Sequence, residues 1–149
     1  MNKLARILLV EDDEDDYVLT SEALQLLDSY QFEILWVTSP QQASEKLSQN
    51  DVDICLLDNQ LGAKSGLAVL KDAQQRGCLT PIIMLTGQTD ATLDKSALDA
   101  GAVDYLNKQE ITTERFARAI RYALARNDVA KERLERLKAQ TQNRAKDRF

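Results

Sequence analysis

ARILLVEDDEDD, residues 5–16, joins a short aliphatic run directly to six consecutive carboxylates. ARILLV is too short for a helix, and its Ile, Leu and Val content predicts a β-strand over 5–10. The acid then begins at that strand's C-terminal end. Four similar runs follow: EILWV (33–37), DICLL (53–57), PIIML (81–85) and VDYLN (103–107). None alternates cleanly between apolar and polar residues, which suits parallel strands covered on both faces. Between them, DDYVLTSEALQLLDS, PQQASEKLSQ, KSGLAVLKDAQQR and ATLDKSALDA place apolar residues near the 3.6-residue helical period. Gly77, Pro81 and Gly101 punctuate helix ends and a strand start. The expected class is α/β, a doubly wound five-stranded parallel sheet with helices on both faces. A site in such a sheet lies beyond the C-terminal ends of the strands, near the point where strand order reverses.

Composition narrows the chemistry. The 149 residues are 44% hydrophobic and 29% charged, which suits one folded domain with an appendage. There is no histidine, so imidazole acid–base chemistry, His-based triads and His metal sites are excluded. Of the two cysteines, Cys55 lies in an apolar run and Cys78 in an expected loop, which is no disulfide or zinc framework. No apolar run approaches the roughly 18 residues of a membrane span, and the N-terminus lacks a leader's cleavage region. A cytoplasmic location is expected.

Charge is unevenly placed. Residues 1–111 hold 8 basic and 19 acidic side chains, whereas 112–149 hold 11 basic and 5 acidic. From about Thr113 the chain reads as one long helix without Gly or Pro. Phe116, Ile120, Ala123, Asn127, Ala130, Leu134, Leu137 and Thr141 form a stripe of mean spacing 3.5, the period of a coiled-coil seam. Asn127 falls in the same seam class as Ile120 and Leu134, which favours an in-register parallel homodimer. The basic residues read as solvated flanks of that coil. Without aromatic interleaving or a helix-turn-helix, direct nucleic-acid or membrane binding is not expected.

The notable polar residues share one edge. Glu11 and Asp12 follow the first strand, Asp58 ends the third, Thr86 and Gly87 the fourth, and Lys108 the fifth. Singly, each has a plainer reading: a helix start, a strand-end cap, a turn, a surface lysine. Together they bring carboxylates close enough to need a cation, and hard oxygen donors favour Mg²⁺. A lysine and a hydroxyl nearby suit a phosphoryl group sharing that metal, with an aspartate as nucleophile. Asp13 to Asp16 read mainly as helix-start charges, and Trp36 as packing beside the second strand.

ILLVEDDED, ICLLDNQLGAKSG, IIMLTG and GAVDYLNK, in this order and spacing over residues 5–122, resemble the receiver domains of two-component response regulators. The resemblance implies a flavodoxin-like fold, with a receiver over 1–122 and a helical, coiled-coil-like extension over 123–149. It implies that Asp58 takes a phosphoryl group from a sensor histidine kinase or phosphotransfer protein. Mg²⁺ would be held by Glu11, Asp12, Asp58 and the main-chain carbonyl of Gln60. Thr86, the Gly87 amide and Lys108 would contact phosphoryl oxygens. Tyr105 would be the switch aromatic coupled to Thr86, and Gln60 and Gln88 would tune hydrolysis. The signal would pass through the fourth helix, fifth strand and last helix. Such a protein is no enzyme beyond its own self-dephosphorylation.

Two positions depart from the family pattern. Gly62 and Gln109 stand where the family usually has proline. A cis bond before glutamine costs about 2.5–4 kcal/mol, so a trans link and an altered loop around Lys108 are expected. Two other readings compete: a phosphorylation-independent pseudo-receiver adaptor, and a haloacid-dehalogenase-like phosphatase. The phosphatase resembles a different arrangement, with its nucleophile on the first strand and a second aspartate two residues on.

Overall fold

The three inner expected strands bury their residues alternately on the two sides of one sheet, whereas EILWV at the sheet edge stays partly exposed. The computed structural model describes residues 3–28, 30–62, 64–87, 91–111 and 114–147. Its elements are β1 (Lys3–Val10), α1 (Glu14–Gln25), β2 (Tyr30–Val37), α2 (Pro40–Ser48), β3 (Ile54–Asp58), β4 (Gln60–Leu61) and β5 (Lys64–Ser65). They continue with α3 (Gly66–Gln75), β6 (Ile82–Thr86), α4 (Ala91–Asp99), β7 (Asp104–Asn107), a 3₁₀ turn at Lys108–Glu110, and α5 (Glu114–Asp147). The main sheet has the order β2-β1-β3-β6-β7, and all its pairings are parallel. The chain leaves β1 for β2 on one side and returns to β3 on the other. That reversal puts a crevice beside the ends of β1 and β3. This is the doubly wound, flavodoxin-like architecture expected from the sequence.

Two cores follow from the strand pleat. Ile7, Leu9, Ile54, Leu56, Ile83, Leu85 and Leu106 pack with Leu24 of α1 and with Phe116, Ile120 and Leu124 of α5. Leu8, Val10, Cys55, Leu57, Ile82 and Met84 face the other way, toward Leu47 of α2, Leu70 of α3 and Ala97 of α4. Burying each Leu or Ile favours folding by about 1.5–3 kcal/mol before entropy is counted. Helix starts are capped as the sequence requires. Asp13 Oδ1 accepts from the amides of Asp15 and Asp16, and Ser39 and Ser65 cap α2 and α3.

Four local differences from the sequence reading have physical causes. Strand β1 begins at Lys3 because residues 3 and 4 still find partners in Tyr30 and Gln31 of β2. Helix α1 stops at Gln25, where exposed Leu26 forms the cap. Lys64 and Ser65 are drawn out of α3 by antiparallel pairing with Gln60 and Leu61. The fourth concerns α5. Phe116, Ile120, Ala123 and Asn127, the first half of the expected intermolecular seam, are buried against the protein's own body. Asn127 Nδ2 donates to Asp53 Oδ1 at 3.5 Å, and Lys131 pairs with the same carboxylate. Only further along does the stripe emerge, with Leu134 and Leu137 exposed. No described helix is long and apolar enough to cross a membrane.

Candidate functional site

The ends of β1 and β3 place Glu11 and Asp58 side by side at the crevice, both almost fully buried, with Asp12 exposed at its mouth. One carboxylate oxygen from each of Glu11, Asp12 and Asp58 lies within 4.8 Å of the others. Two backbone features bring the surrounding loops close. A Cβ at Gly66 would lie 2.1 Å from the Asp58 carbonyl oxygen, so only glycine lets α3 start against the end of β3. The Gly66 amide uses that approach to donate to the Asn59 carbonyl at 2.7 Å. Gly62 has φ of +64°, and its missing Cβ would stand 3.7 Å from Asp12 Oδ2. Proline cannot adopt that φ. The turn of the β4–β5 hairpin therefore needs a residue other than the family's usual one.

Lys108 enters from the opposite side on the 3₁₀ turn. A reciprocal cap holds that turn: Asn107 Oδ1 accepts from the Gln109 amide at 2.9 Å, and Glu110 Oε1 accepts from the Asn107 amide at 3.2 Å. No peptide among the described residues is cis. The Lys108 ammonium reaches Asp16 Oδ2 at 2.6 Å, Asp58 Oδ2 at 3.1 Å and Glu11 Oε1 at 3.3 Å. Burial disfavours the charge on Lys108, but the Asp16 hydrogen bond and the Asp58 carboxylate outweigh it. The lysine is held above its ordinary value. One ammonium does not suffice for the carboxylates. Burial, then the hydrogen bond and negative charge of Asp58, push Glu11 up to about 8. The site thus concentrates more negative charge than its lysine neutralises, on hard oxygen donors. That donor set fits a divalent cation such as Mg²⁺.

Thr86 is buried at the end of β6, and its hydroxyl donates to the Leu106 carbonyl of β7 over a long 3.5 Å. Gly87 beside it is exposed, with open space where a Cβ would be. Tyr105 is half-buried on the α2–α4 side of β7. The Arg115 guanidinium lies 5.8 Å from its ring centre and donates to the Tyr105 carbonyl at 3.1 Å. Gln60 is exposed, and its main-chain N–H donates to Asp58 Oδ1 at 3.2 Å. Gln88 lies outside the described residues.

Two neighbours of the site were not read from the sequence as part of it. Asp16 is the shortest contact of Lys108 rather than only a helix-start charge. Its place four residues after Asp12, in the first turn of α1, was the available signal. Trp36 does more than pack, because its indole N–H donates to the Glu11 carbonyl at 2.7 Å. Nothing local in EILWV marks that contact.

The sequence matches the response regulator receiver domain family over residues 7–121. It is 39% identical over 127 residues to the Klebsiella pneumoniae transcriptional regulatory protein CpxR, covering 85% of this chain and 51% of that protein. It is 35% identical over 104 residues to the Pseudomonas aeruginosa response regulator protein PmrA, covering 69% of this chain and 45% of that protein. The chain therefore spans about half the length of these relatives. Among solved structures, the BeF3-activated N-terminal receiver domain of Klebsiella pneumoniae RstA superposes with a TM-score of 0.66 at 28% identity. That match covers 80% of this chain and 97% of the RstA chain. A LuxR-family two-component response regulator from Aurantimonas sp. SI85-9A1 superposes with a TM-score of 0.73 at 21% identity. It covers 89% of this chain and 99% of that one, a likeness of fold.

Proposed function

The chain belongs to the response regulator receiver domain family, and on that premise we propose that Asp58 is the phosphoacceptor of a two-component pathway. The observation that carries this reading is the Lys108 ammonium 3.1 Å from Asp58 Oδ2, in a crevice also lined by Glu11 and Asp12. An Asp58 oxygen attacks the phosphorus of a phosphohistidine on a sensor kinase or phosphotransfer protein. The P–N bond breaks, leaving an acyl phosphate on Asp58. Glu11, Asp12, Asp58 and the Gln60 carbonyl would hold Mg²⁺, which when bound offsets the charge of phosphoryl oxygens. Lys108 already faces Asp58, so its ammonium pairs with a phosphoryl oxygen with little movement.

Among the described residues, the Thr86 hydroxyl has only a long bond to the Leu106 carbonyl to give up. Turning its hydroxyl toward a phosphoryl oxygen, beside the Gly87 amide, therefore costs little. That turn withdraws it from β7 next to Tyr105, and the change passes to α4, β7 and α5. Gln60 and, on the family's pattern, Gln88 tune the hydrolysis of the acyl phosphate. The long helix, with residues 123–149 as an extension of a 1–122 receiver, carries the output to a second copy or a partner. The nucleophile's place at the end of the central strand β3, not β1, supports this reading over a haloacid-dehalogenase-like phosphatase. The full set of acid pair, Asp58, Thr86 and Lys108 supports it over a phosphorylation-independent adaptor.

Intact mass after incubation with a small acyl phosphate tests the reading. One phosphate adduct should form with Mg²⁺, fail to form when the metal is chelated, and be absent in Asp58→Asn. An adduct indifferent to Mg²⁺ would contradict the site.

A further inference from the structure

Strand β2 lies at an edge of the sheet, yet its last two residues fix the backbone of the acidic pair from both sides. The Glu11 amide donates to the Val37 carbonyl at 3.0 Å. The Trp36 indole N–H donates to the Glu11 carbonyl at 2.7 Å, a short bond for a nitrogen donor. That carbonyl belongs to the peptide linking Glu11 to Asp12, so the bond fixes the plane from which both carboxylates project. The indole is itself held. It stacks on Tyr17 of α1 with ring centres 4.1 Å apart and planes 9° from parallel. Tyr17 follows Asp16, the closest partner of Lys108. Trp36 is still 38% exposed, so burial alone does not account for its geometry.

We infer that Trp36 is a positioning residue of the metal-holding site: its indole N–H sets the peptide between Glu11 and Asp12, and the Tyr17 stack sets the indole. This rests on the reading of Glu11 and Asp12 as the residues that hold Mg²⁺. The clamp works through the main chain. Removing the donor therefore leaves every carboxylate in place chemically but free to rotate about its backbone. Groups that orient ligands in this way typically change metal affinity by about 10–100-fold when lost. An open site with an exposed Asp12 belongs at the lower end of that range. Trp36 is the chain's one tryptophan, so its indole N–H gives a single, unambiguous resonance.

The test is a Mg²⁺ titration of the full chain followed by amide and indole NMR shifts, which also report folding. In the unmodified protein the Trp36 indole proton should resist solvent exchange and shift with the same Mg²⁺ midpoint as the site amides. Trp36→Phe keeps a ring to stack on Tyr17 but removes the donor, and should raise the Mg²⁺ midpoint about tenfold. Tyr17→Phe, which keeps the stack, should titrate as the unmodified protein does. Tyr17→Leu should weaken Mg²⁺ in the same direction as Trp36→Phe, and it carries the test should Trp36→Phe not fold. A Trp36→Phe midpoint unchanged while Asp12→Asn weakens binding would overturn the positioning role and leave the site intact. Unchanged midpoints in both would overturn the site reading, and the positioning role with it.

Discussion

Glu11 sits almost fully buried between Asp58 and Lys108, and its environment has a measurable thermodynamic consequence. Burial first, then Asp58, raise its carboxyl to about 8 from an ordinary 4.5. Folding therefore favours the protonated form. The stability this proton lends is complete below the unfolded value and is lost as pH rises toward 8. In metal-free protein, Glu11→Gln should gain stability over the unmodified chain between pH 5 and 8, by on the order of a few kcal/mol. Denaturant unfolding at both pH values measures this, and a difference that stays flat across the window would remove the buried proton from the account. Mg²⁺ should shrink the gain at pH 8, because the unmodified site then binds a cation that Gln holds less well. The sequence made Glu11, Asp12, Asp58, Thr86 and Lys108 legible because each ends a recognisable strand. It left Trp36 illegible because the Glu11 carbonyl is reached only when β2 pairs with β1, and Asp16 nearly so, because Lys108 meets it only once β7 joins the sheet. The Gly66 contact with Asp58 was likewise invisible, since a missing Cβ announces nothing about what lies beside it.

Among the elements, α5 is the one whose pattern has two meanings. A stripe of spacing near 3.5 fits a partner helix and a sheet equally well over three turns, and here the sheet takes Phe116, Ile120 and Ala123. The docking continues to the lower edge of the sheet. There Asp53 accepts from the Arg6 amide at 2.8 Å and pairs with Asn127 and Lys131 of α5. Asp53→Ala should therefore lower hydrogen-exchange protection of α5 amides around 125–131, leave α1 protected, and cost about 1–3 kcal/mol overall. Unchanged protection over 125–131 would show that the apolar contacts alone dock the helix. The inner strands were legible because buried parallel strands are almost continuously apolar, and the two edge strands, β2 and β7, because their short apolar runs stand between helical stretches. The β4–β5 hairpin was not, because two-residue strands carry no periodicity, and its pairing is dictated by the turn around Gly62.

For the whole molecule, an acidic body carries a basic helix whose first half is committed to that body. A second copy cannot lie along Phe116 to Asn127, so the proposed parallel pairing is left to the helix past Lys131, where Leu134 and Leu137 are exposed. So short an apolar seam gives weak association. Sedimentation should show a monomer–dimer equilibrium that shifts toward dimer with beryllofluoride and Mg²⁺ and back toward monomer in Leu134→Asp. A monomer under all these conditions at high concentration would confine the output to contacts with other partners. On the proposed function Asp58 alone among the carboxylates of this crowded crevice accepts the phosphoryl group. Borohydride reduces an aspartyl phosphate to homoserine and so marks the acceptor permanently. Peptide mass mapping of donor-treated, reduced protein should place the homoserine at position 58 alone; homoserine at position 12 or 16 instead would mean that Asp58 is not the acceptor.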